Sequence, residues 1–391
     1  MIRVAIIIER ADVALGGAER SIWELDRQLN RMGVDATVLA ASAKGNPGDV
    51  KILCENRSGK RTPFGVFGEA IRAHMTKEHY DIVHSTLPFE FADVYQPRGG
   101  SYAEAIERNI ASYDNAAVRL FKTATKSLNW RRTVLLNAEK RLCRAGSRPI
   151  IAALSEYVKG QFVRHYGMPE ERICVIPNGV DIRYAARADK GDDEAEGGLP
   201  AARGEGALFL FAANNFRLKG LATIVRALRL LKDGLEPRPV FVAVAGSGRA
   251  EPYRDLAEKL GVSDRLAFSG AVGSIQVALE PVEAAVLPTY YDPCSRFILE
   301  ALAYGKPAIT TRFNGAAERY VDRRHGVIID DPRDTRALAE ALARLAEPEN
   351  ARSASEAIRL DNLAENISVA RHAERMVELY RFIIANRGTQ A

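Results

Sequence analysis

The sequence predicts an α/β protein with two Rossmann-like, doubly wound domains that face each other across a cleft. Strand-like apolar runs alternate with helical segments along most of its 391 residues, a length that suits two domains. One segment, 185–206, interrupts this alternation with a run rich in Gly, Ala and charge, which is typical of an exposed linker.

The first series of elements begins with a strand at 3–8. Its Val, Ile and Ala residues show no polar alternation, as expected for a parallel strand covered on both faces. A glycine-containing loop and a helix over 18–32 follow it. Further strands are predicted at 36–40, 81–85 and 149–154. We assign residues 1–180 to this first domain.

The second series follows a linker at 181–206 and forms a domain over 207–368. The final helical segment, 369–391, is expected to pack back on the first domain. Strands are predicted at 208–212, 240–245, 265–269, 284–287 and 307–310, and helices at 221–232, 252–260 and 296–304. Domains of this kind bind ligands at the carboxyl ends of their strands, so we expect the site in the cleft.

Composition and charge exclude several classes of protein. The apolar run at 4–8 is too short to span a membrane, and no other stretch reaches about 18 uninterrupted apolar residues. The net charge of +5 is too small for a dedicated nucleic-acid binder. The four cysteines and six histidines lack disulfide or metal-ligand spacing. We therefore predict a cytoplasmic protein without a metal site.

The standard cofactor motifs are absent as well. The sequence contains no G-x-x-x-x-G-K-[ST] motif, and Gly246-Ser247-Gly248 lacks the third glycine of the dinucleotide fingerprint. Asp-x-Asp occurs nowhere, which argues against a metal-bridged nucleotide. We therefore predict no bound cofactor.

In each half of the chain, a glycine-containing turn follows the first strand and leads into a helix. Gly16 and Gly17 would let a phosphate or sugar approach the backbone at a helix N-terminus, although a plain tight turn is the alternative. Arg217 and Lys219 could clamp a diphosphate beside the next such helix, where the alternative is a solvated basic turn.

A third motif, 288–307, combines a strand end, a polar loop and a helix opened by Ser295. The loop carboxylate of Asp292 can bind sugar hydroxyls, and the helical carboxylate of Glu300 can bind a ribose diol. Backbone N–H groups near Ser295, Arg296 and Phe297 would meet phosphate oxygens. The alternative is that Asp292 only caps the helix and Glu300 lies on the surface.

Five motifs in this order carry a resemblance to a known family. The chain resembles the retaining nucleotide-sugar glycosyltransferases with the GT-B fold and a carboxylate-x7-Glu motif, from Ile2 to about Tyr380. The motifs lie at 16–19, 176–181, 217–220, 292–300 and 314–318. The resemblance implies two Rossmann-like domains, a nucleotide-sugar donor held mainly by the C-terminal one, and no required metal.

The resemblance also implies roles for individual residues. Arg217 and Lys219 correspond to the diphosphate clamp, Glu300 to the ribose ligand and Asp292 to the acid that contacts the sugar. The predicted donor-binding set also contains Gly16, Gly17, His84, Gly246, Val272, Ser295, Arg296 and Phe297. Asp292 departs from the family pattern, which usually has the longer Glu, and Cys294 stands where a glycine is typical.

A closer resemblance is to the lipopolysaccharide-core glucosyltransferases, through the segment 92–97. It implies that Asp93 is a catalytic acid near the acceptor hydroxyl, with an ordinary loop aspartate as the alternative. His84 ends a predicted strand and would contact the donor sugar, with a structural histidine as the alternative.

The segment 119–148 contains nine basic residues and one acidic residue, so its net charge is +8 and the rest of the chain carries −3. A cationic helix with Trp and Leu can lie on an anionic membrane surface. The residues predicted to meet it are Lys122, Lys126, Trp130, Arg131 and Arg132. The alternative is a solvated excursion packed on its own domain, whereas nucleic acid is not predicted because aromatic residues do not interleave the charges.

The predicted function is a retaining, metal-independent hexosyltransferase at the inner face of the cell membrane. It would move glucose from UDP-glucose to a lipid-linked saccharide such as lipopolysaccharide core. Two alternatives remain: a sugar-nucleotide 2-epimerase on the same fold, and a peripheral membrane protein without catalytic activity.

Overall fold

A computed structural model describes residues 1–12, 17–43, 50–54, 61–181 and 206–387. The chain divides into two compact units. The first contains residues 1–107, 117–179 and 369–391, and the second contains 108–116 and 180–368. Residues 108–116, which we call the strap, were predicted in the first domain but group with the second unit.

The first unit contains a seven-stranded parallel sheet in the order β3-β2-β1-β4-β5-β6-β7. The elements are β1 (Arg3–Ala11), α1 (Gly17–Arg31), β2 (Asp35–Ala43), β3 (Val50–Ile52), α2 (Phe64–Met75), β4 (Ile82–Ser85), β5 (Val94–Tyr95), α3 (Tyr102–Ala111), α4 (Ala116–Ala124), α5 (Trp130–Leu142), β6 (Ile150–Ala153), α6 (Glu156–Tyr166) and β7 (Ile173–Val175). The strand order reverses between β1 and β4, which is the switch point of this sheet.

The second unit contains a six-stranded parallel sheet in the order β10-β9-β8-β11-β12-β13. The elements are β8 (Ala207–Ala212), α7 (Leu221–Leu230), β9 (Val240–Ala245), α8 (Glu251–Lys259), β10 (Leu266–Gly270), α9 (Ile275–Leu279), β11 (Ala284–Leu287), α10 (Arg296–Ala303), β12 (Ala308–Thr311), β13 (Gly326–Ile329), α11 (Thr335–Ala346), α12 (Pro348–Leu360) and α13 (Leu363–Asn366), and the chain ends with α14 (Val369–Arg387). The order reverses between β8 and β11.

The predicted fold class is confirmed: each unit is a doubly wound parallel sheet with helices. The sequence missed β3, β5, β7 and β13. The first three have only two or three residues, too few to show a buried run. The helix predicted at 221–232 ends two residues early, at Leu230, because a π-turn around Gly234, whose φ is 121°, follows it. Of the predicted linker, residues 182–205 lie outside the described residues.

Helix α14 packs in the core of the first unit. Its buried Met376 and Tyr380 join a cluster with Ile22 and Leu25 of α1 and Ile6 of β1. The amphipathic pattern of α14 therefore has a partner far away in sequence, and the last helix of the chain closes one face of the first sheet.

The basic segment forms two helices. Residues 125–129, with a short 3-10 turn, separate α4 from α5. Helix α4 has no buried residue, whereas α5 buries Leu135, Ala138 and Leu142. None of the helices in the described ranges is both long and apolar enough to cross a membrane.

Candidate active site

The loops after β8 and β11 are joined at the switch point of the second sheet. The carbonyl of Leu218 accepts hydrogen bonds from the Tyr290 N–H at 2.9 Å and the Thr289 hydroxyl at 3.2 Å. Gly220 has a φ of 81°, and a Cβ there would lie 2.1 Å from the carbonyl oxygen of Pro288. A glycine is therefore required where the two loops touch.

This contact brings Lys219 to Asp292. The ammonium of Lys219 lies 2.6 Å from Oδ2 of Asp292 and 2.9 Å from the carbonyl oxygen of Tyr291. Only 19% of the lysine side chain and 15% of the aspartate side chain are exposed. The second carboxylate oxygen accepts the Cys294 N–H at 3.2 Å, so the short Asp side chain forms a turn within its own loop.

Asn314 connects this loop to the start of α10. Its Oδ1 accepts the N–H groups of Ser295 and Ala316, each at 3.1 Å, and its amide nitrogen donates to Thr310 at 3.0 Å. Asn314 is 1% exposed. Asn314 lies in the motif 314–318, but no role could be predicted for it from the sequence, because its partners become neighbours only in the fold.

Helix α10 begins as predicted at Ser295, whose hydroxyl accepts the Ile298 N–H. Arg296 and Glu300 form an ion pair at 3.2 Å, and only 9% of each side chain is exposed. Phe297 is buried. The alternative in which Glu300 lies on the surface is therefore wrong. The Ser295 N–H, predicted to meet phosphate, instead donates to Asn314.

Arg217 does not share its contacts with Lys219. Its guanidinium donates to the Asn109 carbonyl at 2.9 Å and to the Ser112 hydroxyl, and it lies 3.6 Å from the ring centroid of Tyr113. These three residues belong to the strap. The prediction that Arg217 and Lys219 form one clamp is corrected: the two residues are two positions apart in the sequence, but their side chains bind different segments.

Two further predicted donor-binding residues lie in loops at the carboxyl ends of strands. Gly246 follows β9 with a φ of 126°, and a Cβ there would lie 1.8 Å from the Ala213 carbonyl oxygen. Val272 is half-buried in the loop after β10. In the first unit, Gly17 is exposed at the first position of α1, and Gly16 lies outside the described residues.

His84 has a structural environment in the first unit. Its ring is fully buried, and Nδ1 lies 2.7 Å from the hydroxyl of Tyr380 on α14. Burial, with a smaller contribution from the nearby Arg98, lowers the pKa of the imidazole to about 3. A neutral, enclosed ring packed on α14 fits the structural alternative for His84 and not the predicted contact with the donor sugar.

Asp93 lies at the wrong edge of the first sheet for a catalytic acid. It precedes β5, and its carboxylate accepts the N–H of Val83 near the start of β4 at 2.8 Å. Arg387 of α14 binds the other oxygen. Ligands bind at the carboxyl ends of parallel strands, whereas Asp93 is at the amino ends, so the predicted catalytic role is corrected to a structural one.

The predicted membrane residues differ in exposure. Lys122, Lys126 and Trp130 are exposed, the last by 79%. Arg131 is half-buried and binds the carboxylate of Glu9 at 2.5 Å, so its role at a membrane is corrected to an ion pair within the unit. Arg132 is half-buried.

The same segment also exposes three apolar side chains that the prediction did not name as contacts: Leu120, Phe121 and Leu128.

One trio of metal-ligand types is close together among the described residues: Glu104, Glu107 and His165. The buried carboxylate of Glu104 already binds the guanidinium of Arg164 and the hydroxyl of Tyr157. A cation beside that guanidinium would be repelled, so the trio does not indicate a metal centre.

The chain matches two protein families. Residues 199–360 match the glycosyl transferases group 1 family, and residues 15–184 match glycosyltransferase family 4. A D-inositol 3-phosphate glycosyltransferase 2 from Catenulispora acidiphila is 30% identical over 84% of this chain and 82% of its own. The lipopolysaccharide glucosyltransferase WaaG of Escherichia coli is 25% identical over 56% of this chain and 61% of its own.

Two solved structures have the same fold. The crystal structure of WaaG, a glycosyltransferase involved in lipopolysaccharide biosynthesis, has a TM-score of 0.73 at 19% identity over 96% of this chain and 99% of that one. Anabaena Alr3699/HepE in complex with UDP has a TM-score of 0.67 at 14% identity over 97% and 99%. With two matched families and a relative that is 30% identical over most of both chains, this protein belongs to the group 1 glycosyltransferases of the GT-B fold.

Proposed function

We propose that this glycosyltransferase moves a hexose, glucose, from a UDP-sugar to a hydroxyl of a lipid-linked saccharide, with retention and without a metal. The observation that carries the proposal is the Lys219–Asp292 contact at the switch point of the second sheet. It supports the proposal because an ammonium suited to a diphosphate lies next to a carboxylate suited to sugar hydroxyls, at the edge where such sheets bind nucleotides.

Lys219 is suited to stabilise the leaving diphosphate. Its ammonium carries three donors, of which two have acceptors in Tyr291 and Asp292 among the described residues. In the proposed complex the third donor binds a phosphate oxygen, and the N-terminus of α10 adds positive potential there. In the proposed front-side reaction, the bond from the anomeric carbon to the diphosphate breaks as the acceptor oxygen bonds to the same face. The acceptor proton passes to the leaving diphosphate.

The lipid-linked acceptor is proposed from the exposed surface of α4 and the turn after it. Leu120, Phe121, Leu128 and Trp130 are 62–79% exposed, and Lys122 and Lys126 lie between them. Apolar side chains interleaved with lysines suit the interface of an anionic leaflet. The enzyme would then act at the inner face of the cell membrane. The relative named lipopolysaccharide glucosyltransferase supports glucose and a saccharide acceptor.

A second candidate is transfer to a soluble phosphorylated cyclitol. It is favoured by the relatives named D-inositol 3-phosphate glycosyltransferase, one of which is 30% identical to this chain. Both candidates share the donor chemistry at Lys219 and Asp292 and differ only in the acceptor.

The decisive experiment incubates the protein with UDP-glucose, other UDP-sugars and EDTA, with either lipid-linked saccharide or inositol 3-phosphate as acceptor. We expect UDP release and a lipid product heavier by one hexose, with the α-configuration of the donor kept. A hexosylated inositol phosphate alone would favour the second candidate. A 2-epimerised UDP-sugar formed without any acceptor would indicate the epimerase, and no UDP binding by calorimetry would reject the enzyme.

A further inference from the structure

The strap is fixed to the rest of the second unit by three arginines. Its last helical turn ends with carbonyl groups that have no partner inside the helix. Arg217 binds the Asn109 carbonyl, and Arg333 binds the Ala111 carbonyl at 2.5 Å. Arg226 binds the carboxylate of Asp114 at 2.5 Å. These contacts hold both the backbone and a side chain of the strap at one position.

The strap also reaches the loop that holds Asp292. The guanidinium of Arg108 lies 3.9 Å from the ring centroid of Phe313, close enough for a cation–π contact. The carbonyl of Phe313 accepts the Asp292 N–H at 2.9 Å, and the Asp292 carbonyl accepts the Gly315 N–H at 2.9 Å. A displacement of Phe313 would therefore shift Asp292.

We propose that the strap positions the donor site and that Arg108 is its positioning residue, acting through Phe313 on Asp292 and Lys219. Arg108 lies on the Phe313 ring, and the three arginine contacts keep its helical turn from drifting away. Asp292 in turn holds Lys219 at 2.6 Å. The proposal rests on the donor role proposed above for these two residues.

The test uses the full chain and measures UDP binding by calorimetry and initial rates with UDP-glucose. We expect Arg108→Ala to raise the Kd for UDP and the KM for UDP-glucose together, about three- to tenfold, which is the range of one cation–π contact. The kcat should change less than twofold, and Arg108→Lys should restore part of the loss because it keeps the cation.

Two further variants separate positioning from general destabilisation. Phe313→Leu keeps an apolar side chain and the carbonyl but removes the aromatic face, so we expect the same rise in the Kd for UDP and the KM for UDP-glucose. The Arg108→Ala, Phe313→Leu double variant should show no further rise in either constant. Arg312→Ala is the matched control. Its guanidinium lies 5.3 Å from the centroid of the same ring but comes from outside the strap, so UDP binding should be unchanged.

The outcomes are distinguishable. If UDP binds the unaltered protein and the Arg108→Ala and Phe313→Leu variants with equal Kd, the positioning role is wrong while the donor site stands. The positioning role would also be wrong if Arg312→Ala weakened UDP binding as much as Arg108→Ala does. If the unaltered protein does not bind UDP, the proposed function itself fails.

Discussion

The ammonium of Lys219 lies 2.6 Å from the carboxylate of Asp292, although the two residues are 73 positions apart. Each follows a strand beside the switch point of the second sheet, β8 in one case and β11 in the other. The pair is mostly buried and shares its loops through Leu218 and Gly220. The two residue types that the proposed reaction needs are thus held together by the fold.

Replacement of Lys219 by Ala should lower the turnover of UDP-glucose about a hundredfold or more, because a preorganised charge opposite the leaving group is lost. Initial rates of UDP release measure the effect. Lys232→Ala is the matched control, since Lys232 forms an exposed ion pair with Asp264 in the same unit at 3.2 Å. Full turnover in Lys219→Ala would contradict the assignment of this lysine.

Asp93→Asn should leave kcat within about twofold of the unaltered enzyme but lower the free energy of unfolding by about 1–3 kcal/mol. The carboxylate binds the Val83 N–H and Arg387, so its charge supports the packing of α14. Urea unfolding and initial rates on the same preparation test both parts. Arg387→Ala should show the same pattern. A hundredfold loss of kcat with unchanged stability would instead restore Asp93 as a catalytic residue.

Glu139 is a buried carboxylate that makes the stability of the first unit depend on pH. It accepts hydrogen bonds from the Tyr95 hydroxyl and the Tyr102 N–H, each at 2.8 Å, and from the Tyr166 hydroxyl. Burial nevertheless raises its pKa from 4.5 to about 7. The folded protein therefore binds one more proton than the unfolded chain between these pH values, and stability falls as the pH rises from 4.5 through 7.

Glu139→Gln should remove this dependence. The amide oxygen can accept the Tyr102 N–H, and the amide nitrogen can donate to the Tyr95 oxygen. Between pH 5 and pH 8, the free energy of unfolding of the variant should gain up to about 3 kcal/mol relative to the unaltered protein, since one pKa unit is worth about 1.4 kcal/mol. Urea unfolding at several pH values measures it. His84, whose pKa is lowered, makes the free energy of unfolding rise with pH. This contribution is the same in the variant and in the unaltered protein, so it cancels in their difference. The prediction would be contradicted if the difference in the free energy of unfolding between the two proteins stayed constant across this pH range.

Reversal of two charges on the exposed basic surface should release the protein from anionic vesicles. We expect Lys122→Glu with Lys126→Glu to weaken binding at least tenfold, because each basic group near such a surface contributes about 1 kcal/mol. Sedimentation with anionic and zwitterionic vesicles measures it. Arg249→Glu with Lys259→Glu changes the net charge equally on exposed residues of the second unit and should bind normally. Equal release by both pairs would show a net-charge effect without a specific surface.

The strands next to the candidate site could be predicted from the sequence. The contacts of the side chains in that site could be predicted only in part. Strands β8 and β11 are fully apolar runs, so their ends, and with them Lys219 and Asp292, could be located from pattern alone. Arg217 could not be separated from Lys219 in this way, since residues two apart in a loop have no fixed common direction. The amino-end position of Asp93 was hidden because β5 has only two residues.

The sequence by itself determined the two parallel sheets, the family and the position of Lys219 and Asp292 after two neighbouring strands. These follow from local runs of buried side chains and from motifs within short stretches of chain. Only the tertiary structure decided that Arg217 holds the strap, that His84 is enclosed by Tyr380 and that Asp93 binds Arg387. Each of these contacts joins residues about 100 to 300 positions apart, and such partners are chosen by the packing of whole elements, which local patterns do not encode.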